Sequence, residues 1–89
     1  MTAPAETEAV RGVIDIGTNS VKVLIARIKA EGIESLHEES IQTRLGEGLY
    51  ESGRLRSAAI ARTAEVVSGF LSHGKKLGAV AMRILATSA

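Results

Sequence analysis

Gly12-Val13-Ile14-Asp15-Ile16-Gly17-Thr18-Asn19-Ser20-Val21-Lys22-Val23-Leu24-Ile25-Ala26-Arg27-Ile28 is the stretch on which the fold of this chain turns. Two apolar, β-branched runs flank a cluster of turn formers, the pattern of a β-hairpin. Residues on both faces of the runs are apolar, which predicts strands covered on both sides. One acid, Asp15, stands near the end of the first run. A carboxylate in apolar surroundings is costly unless a cation or a water network partners it. Gly17 lets the chain turn and a ligand approach with no Cβ in the way. Thr18, Asn19 and Ser20 add hydroxyl and amide donors beside successive backbone N–H groups, and a turn of that kind forms a nest for phosphate oxygens. Asp15 could hold Mg²⁺ against the same phosphate, directly or through water. An ordinary hairpin turn with Asp15 capping a backbone amide would carry the same residues.

Outward from the hairpin, Lys29-Ala30-Glu31-Gly32 reads as a second turn, and Ile33 to Thr43 as a third strand. Glu34, His37, Glu38 and Glu39 wet at least one face of that strand, as an edge strand requires. Thr43-Arg44-Leu45-Gly46-Glu47-Gly48-Leu49 is a loop whose Arg44 could fork onto a phosphate. Its glycines would allow close backbone approach, although a flexible loop with a surface Arg–Glu pair has the same composition. Ser57 to His73 follows with Ile60, Ala64, Val67 and Leu71 at helical spacing, so that stripe is expected to face the core. Ser57 or Arg56 marks the start, and Gly74 is expected as the glycine just past the end. Gly69 interrupts the helix, and such a glycine often permits close packing. Ala79 to Thr87 completes a β-β-β-α-β order as a fourth strand, and the helical crossover predicts a mixed sheet with a parallel pair. A single helix cannot bury both apolar faces of Val80 to Ala86, so the domain is expected to be truncated. Residues 1–11 read as a disordered tail, and 12–89 as the domain.

Composition narrows the function. The chain has 89 residues, a net charge of +1 and 45% hydrophobic residues, which suits one small globular domain. Its longest apolar runs are four residues, Val23-Leu24-Ile25-Ala26 and Ala79-Val80-Ala81-Met82, so no membrane helix is expected. With no Cys there are no thiolate metal sites or Cys nucleophiles, and the two His cannot make a three-histidine centre. Tyr50 and Phe70 are too few aromatics for a base-stacking platform, and no basic stripe supports nucleic-acid binding. Lys22, His37, His73 and Arg83 read as solvated or structural side chains. The absence of a secretory leader and of Cys places the protein in the cytoplasm as an expectation.

Four ordered segments carry a resemblance. The stretch from Gly12 to Val21, then Thr43 to Leu49, then Ala59-Ile60 with Arg62, then Ala86-Thr87-Ser88-Ala89 resembles the N-terminus of the exopolyphosphatase/guanosine pentaphosphate phosphohydrolase family. The resemblance covers everything but the tail. It implies an α/β, ribonuclease H-like (actin-like ATPase) half-domain, of which β-β-β-α-β is the first part. It implies that Asp15, Gly17, Thr18, Asn19 and Ser20 form the first phosphate-binding loop. Arg44 is added as a phosphate ligand, and Gly46, Glu47 and Gly48 as cleft residues. It also implies Mg²⁺ as cofactor, held at Asp15, and a polyphosphate or guanosine pentaphosphate substrate, cleaved at a phosphoanhydride bond. The family's catalytic Glu and second phosphate loop follow the Ala-Thr-Ser-Ala segment. The chain is therefore expected to be an N-terminal fragment, inactive by itself and without a catalytic residue. The alternatives are a phosphate-binding or dimerisation module that pairs through its uncovered last strand, and a sugar or acetate kinase relative. The Thr43–Leu49 loop disfavours the kinase.

Overall fold

The computed structural model describes residues 8–87. Strands β1 (Ala9–Ile16), β2 (Ser20–Lys29) and β3 (Gly32–Gln42) are followed by a single helical turn, α1 (Leu49–Ser52). The long helix α2 (Ser57–Lys76) then leads to strand β4 (Ala81–Ala86). The sheet order is β3-β2-β1-β4. β1 and β2 form the predicted hairpin, β2 and β3 are antiparallel, and β4 runs parallel to β1. The sheet is thus mixed, with β3 on one edge as its charges require. Lys29 and Arg27 on β2 both pair with Glu34 across that edge, and Lys29, the stronger influence, holds the Glu34 carboxyl below its ordinary range. His37 on β3 stacks on His73 of α2, ring centroids 4.3 Å apart.

β1 begins at Ala9, inside the expected tail, because Val10 is a core residue. Val10 pairs with Arg27 on one side, and its carbonyl accepts a hydrogen bond from Val80 N–H on the other. The rest of the tail, 1–7, lies outside the described residues. The core joins Val10 and Ile14 of β1, Val21, Val23 and Ile25 of β2, and Phe70 of α2. It occupies one face only. On the other face Val13 and Leu24, cross-strand neighbours, are 40% and 39% exposed, so these strands are not covered on both sides.

Helix α2 corrects three expectations. Its buried residues are Ala59, Thr63, Phe70 and Gly74, while Ile60 is 48% exposed and Leu71 36%. The helix is apolar over more than one stripe, and the sheet took the side that joins one large ring to small residues. Gly74 does not end the helix. A Cβ on Gly74, or on Gly12 of β1, would collide with the Met82 side chain, which fills the slot between them. The helix ends at Lys76, and Leu77 caps it in a Schellman turn. Gly78 adopts φ +86, Gly78 N–H donates to Lys75 O (3.0 Å) and Ala79 N–H to Gly74 O (2.9 Å). At the other end Arg56 is the N-cap, with no side-chain cap, so Ser57 is the first helical residue. Gly69 has no packing role, since a Cβ there would meet open space. The fourth strand is shorter than expected, beginning at Ala81 rather than Ala79.

Candidate functional site

The site grows from the end of β1. Chain reversal between β1 and β2 is closed by Gly17 N–H donating to Ser20 O (2.9 Å). Thr87, just past β4, donates both its N–H (3.0 Å) and its hydroxyl (3.3 Å) to Ile16 O. The parallel β1–β4 pair therefore brings Thr87 beside the turn. Together Asp15, Gly17, Thr18, Asn19, Ser20, Lys22 and Thr87 line an open cavity of about 230 Å³ with mostly polar walls. All five turn residues singled out in the sequence meet there.

Asp15 is the chemically unusual member. Its Oδ1 is buried and accepts no hydrogen bond from the described residues. A capped hairpin turn would have satisfied that oxygen, so its orphaned state points to an absent partner. Lys22 sits opposite Asp15 in the β1–β2 register and lines the same cavity. Sequence reasoning gave Lys22 no role. Its signal was register: a short reversal pairs Asp15 with the residue two past Ser20. Thr87 was missed as well, because only the parallel pairing of β4 brings it near.

The residues fit a hard divalent cation. Asp15, Thr18 and Ser20 supply oxygen donors, as Mg²⁺ requires. Among the described residues no group of three or more His, Cys, Asp or Glu could hold a metal ion. A cation here would rely on one carboxylate together with water and phosphate oxygens, the usual manner of Mg²⁺.

The second predicted segment, Thr43 to Leu49, is strapped to the turn by its backbone. Thr43 N–H and Arg44 N–H both donate to Asn19 O (2.9 and 3.0 Å), and Gly46 N–H donates to Thr18 O (2.8 Å). Gly46 packs closely there: a Cβ would approach the Thr18 Cβ to 3.2 Å, so the turn would have to give by a few tenths of an ångström. Arg44 takes a left-handed backbone, φ 54, and is exposed; it does not line the cavity. Glu47 turns away to Arg62 of α2 (3.3 Å), and Gly48 lies against the Arg56 guanidinium. Of the cleft candidates, Gly46 borders the turn while Glu47 and Gly48 face Arg62 and Arg56, and none of the three lines the cavity. Ser88 and Ala89 of the last predicted segment lie outside the described residues. Among the described residues no helix is long and apolar enough to cross a membrane.

Comparison with known proteins agrees with this architecture. The family model of the Ppx/GppA phosphatase family matches residues 24–89. Exopolyphosphatase 2 of Mycobacterium tuberculosis is 36% identical over 80 residues, covering 85% of this chain and 25% of that protein. The crystal structure of the Aquifex aeolicus Ppx/GppA family member superimposes with a TM-score of 0.85 at 28% identity, over 89% of this chain and 26% of that one. An exopolyphosphatase from Cytophaga hutchinsonii gives a TM-score of 0.76 at 28% identity, over 89% of this chain and 25% of its own. The chain spans about a quarter of the length of the curated relatives it matches. With a family match that takes in β4, α2 and most of the sheet, and solved relatives that superimpose on most of its length, this chain belongs to the Ppx/GppA phosphatase family.

Proposed function

We propose that this chain forms the first phosphate-binding wall of an exopolyphosphatase-like phosphohydrolase in the cytoplasm. The substrate is polyphosphate or guanosine pentaphosphate, and the bond cleaved is a phosphoanhydride. The observation that carries this reading is the orphaned Asp15 Oδ1 in a cavity walled by Thr18, Asn19, Ser20 and Lys22. Turn amides and hydroxyls would receive phosphate oxygens, and Lys22 would add a point charge. Arg44 is a further phosphate ligand in this reading, reaching in from the strapped loop when substrate is present. Mg²⁺ held by Asp15 would neutralise charge on the transferring phosphoryl group. In this reading Asp15 serves the cation, and the water-activating carboxylate is the Glu that the family resemblance implies. The chain by itself binds phosphate chains and does not turn them over.

A direct test is Mg²⁺-dependent release of inorganic phosphate from tripolyphosphate by the purified 89-residue chain, with binding followed in parallel by calorimetry. Binding without release is the expected result. Release that Asp15→Ala abolishes would overturn the inactivity of the isolated chain. No binding at all would overturn the cradle reading.

The open apolar surface beside β4 favours a second reading. Ile60, Ala64, Val67 and Leu71 of α2, with Ile84 and Ala86 of β4, line a groove of about 640 Å³. In this reading the chain is a non-catalytic phosphate-binding module that pairs with a second copy through its last strand. Sedimentation equilibrium decides it: a monomer at micromolar concentration rules the pairing out.

A further inference from the structure

Arg62 contacts neither the cavity nor the turn, yet it holds the segment that holds both. Its Nε donates to Thr43 O at 3.0 Å, and its terminal nitrogen lies 3.3 Å from Glu47 Oε1. Thr43 is 1% exposed, and the Arg62 guanidinium is the side-chain donor that meets its carbonyl. Between these two anchors Arg44 holds a left-handed backbone, which a residue with a Cβ keeps only where its surroundings fix it. The other side of the same loop clamps the turn, through Thr43 and Arg44 on Asn19 O and Gly46 on Thr18 O. A continuous path therefore runs from helix α2 through Arg62 and the Thr43–Glu47 loop to the two residues at the tip of the phosphate turn.

We propose that Arg62 is the positioning residue of the phosphate turn. It fixes both ends of the loop that orients Thr18 and Asn19. The role needs arginine, because two separate acceptors are met by one rigid planar fork that a lysine ammonium cannot reproduce. The Arg62–Glu47 contact alone would not suffice, since both side chains are substantially exposed and such pairs are worth little. The bond to the buried Thr43 carbonyl is the part that matters. The proposal rests on the reading of the cavity as a phosphate site.

The test uses the full 89-residue chain with Arg62→Met and Arg62→Lys, and tripolyphosphate with Mg²⁺ as the probe. Amide hydrogen exchange is read at Thr43, Arg44 and Gly46, with Val23 and Ile25 reporting global stability. In Arg62→Met the loop amides should exchange about tenfold faster while the core amides hold, as loss of a charge-assisted hydrogen bond implies. Amide shifts of Thr18 to Ser20 should move, and tripolyphosphate affinity should fall about fivefold. Arg62→Lys should restore the core-like rates at Thr43 only in part and leave the affinity reduced. Unchanged loop exchange overturns the proposal, as does a loosened loop with unmoved turn shifts. Full recovery of affinity by Arg62→Lys also overturns it. A wild-type chain that fails to bind tripolyphosphate defeats the cavity reading instead, and the exchange rates and turn shifts then decide the role of Arg62 by themselves.

Discussion

In the proposed reading, Asp15 sets function against stability within one side chain. A buried oxygen without a donor is a cost to the fold, and nothing in the described structure offsets it. Asp15→Asn keeps the shape and removes the negative charge. It should hold or raise the thermal midpoint, by up to about 1 kcal/mol in stability, while Mg²⁺ no longer strengthens phosphate binding. Thermal melts with and without Mg²⁺ check both halves. A clear loss of stability would mean that Asp15 caps a backbone amide after all and that the turn is structural. Thr43 poses the matching question. Its hydroxyl is buried and unpartnered, while its backbone N–H and carbonyl carry the strap. Thr43→Val preserves the shape and both backbone bonds, so it should stabilise the chain by about 1 kcal/mol in denaturant titrations. A loss instead would show the hydroxyl bonded in solution.

Among the elements, the long helix shows best what a sequence discloses. Its existence and its start within one residue follow from spacing and composition, and so does its place before a parallel strand. Which side it buries does not. The stripe Ile60, Ala64, Val67, Leu71 and the stripe Ala59, Thr63, Phe70, Gly74 lie about 80° apart at 100° per residue, and both have helical period. The face chosen is the one on which Met82 fills the space over the glycines at 12 and 74 and Phe70 packs against β1 and β2. Those are tertiary facts with no periodic signature. The hairpin, the wet edge strand and the turn at Asp15 were legible because each is local: β-branched runs, four charged or polar residues in a row, and clustered turn formers. The company that Lys22 and Thr87 keep with that turn depends on strand pairing, and the Arg62 strap on tertiary contact. At Gly69 the same helix gives a prediction free of tertiary complication. The position is helical and exposed, and a Cβ would touch nothing. Gly69→Ala should therefore add about 1 kcal/mol, raising the thermal midpoint by about 4–8 °C. A scanning calorimeter reads that directly, and a drop would mean that something packs on the helix at this point in solution.

For the molecule as a whole, one layer of helix on one layer of sheet leaves two apolar surfaces. Val13 and Leu24 expose the outer sheet face, and the groove between α2 and β4 exposes Ile60, Leu71 and Ile84 at 48%, 36% and 46%. Contiguous apolar surface of this kind on a small domain marks a contact surface or an aggregation hazard. The turn after β1 and the groove meet at the β1 end, where Ile16 lines the groove next to Asp15 of the cavity. Whatever covers the groove would therefore press on the strand that carries Asp15. Leu71→Lys combined with Ile84→Thr tests the groove without touching the core. Each side chain is already part exposed, so each substitution should cost only about 1 kcal/mol. The wild-type chain should bind an apolar dye such as anilinonaphthalene sulfonate and sediment faster as concentration rises. The double variant should lose most of the dye signal and sediment as one species. If the pair of substitutions costs more than about 4 kcal/mol, the groove is closed in solution and these side chains belong to the core. If the dye signal survives, the outer sheet face around Val13 and Leu24 is the exposed surface, and α2 and β4 are not where a partner would sit.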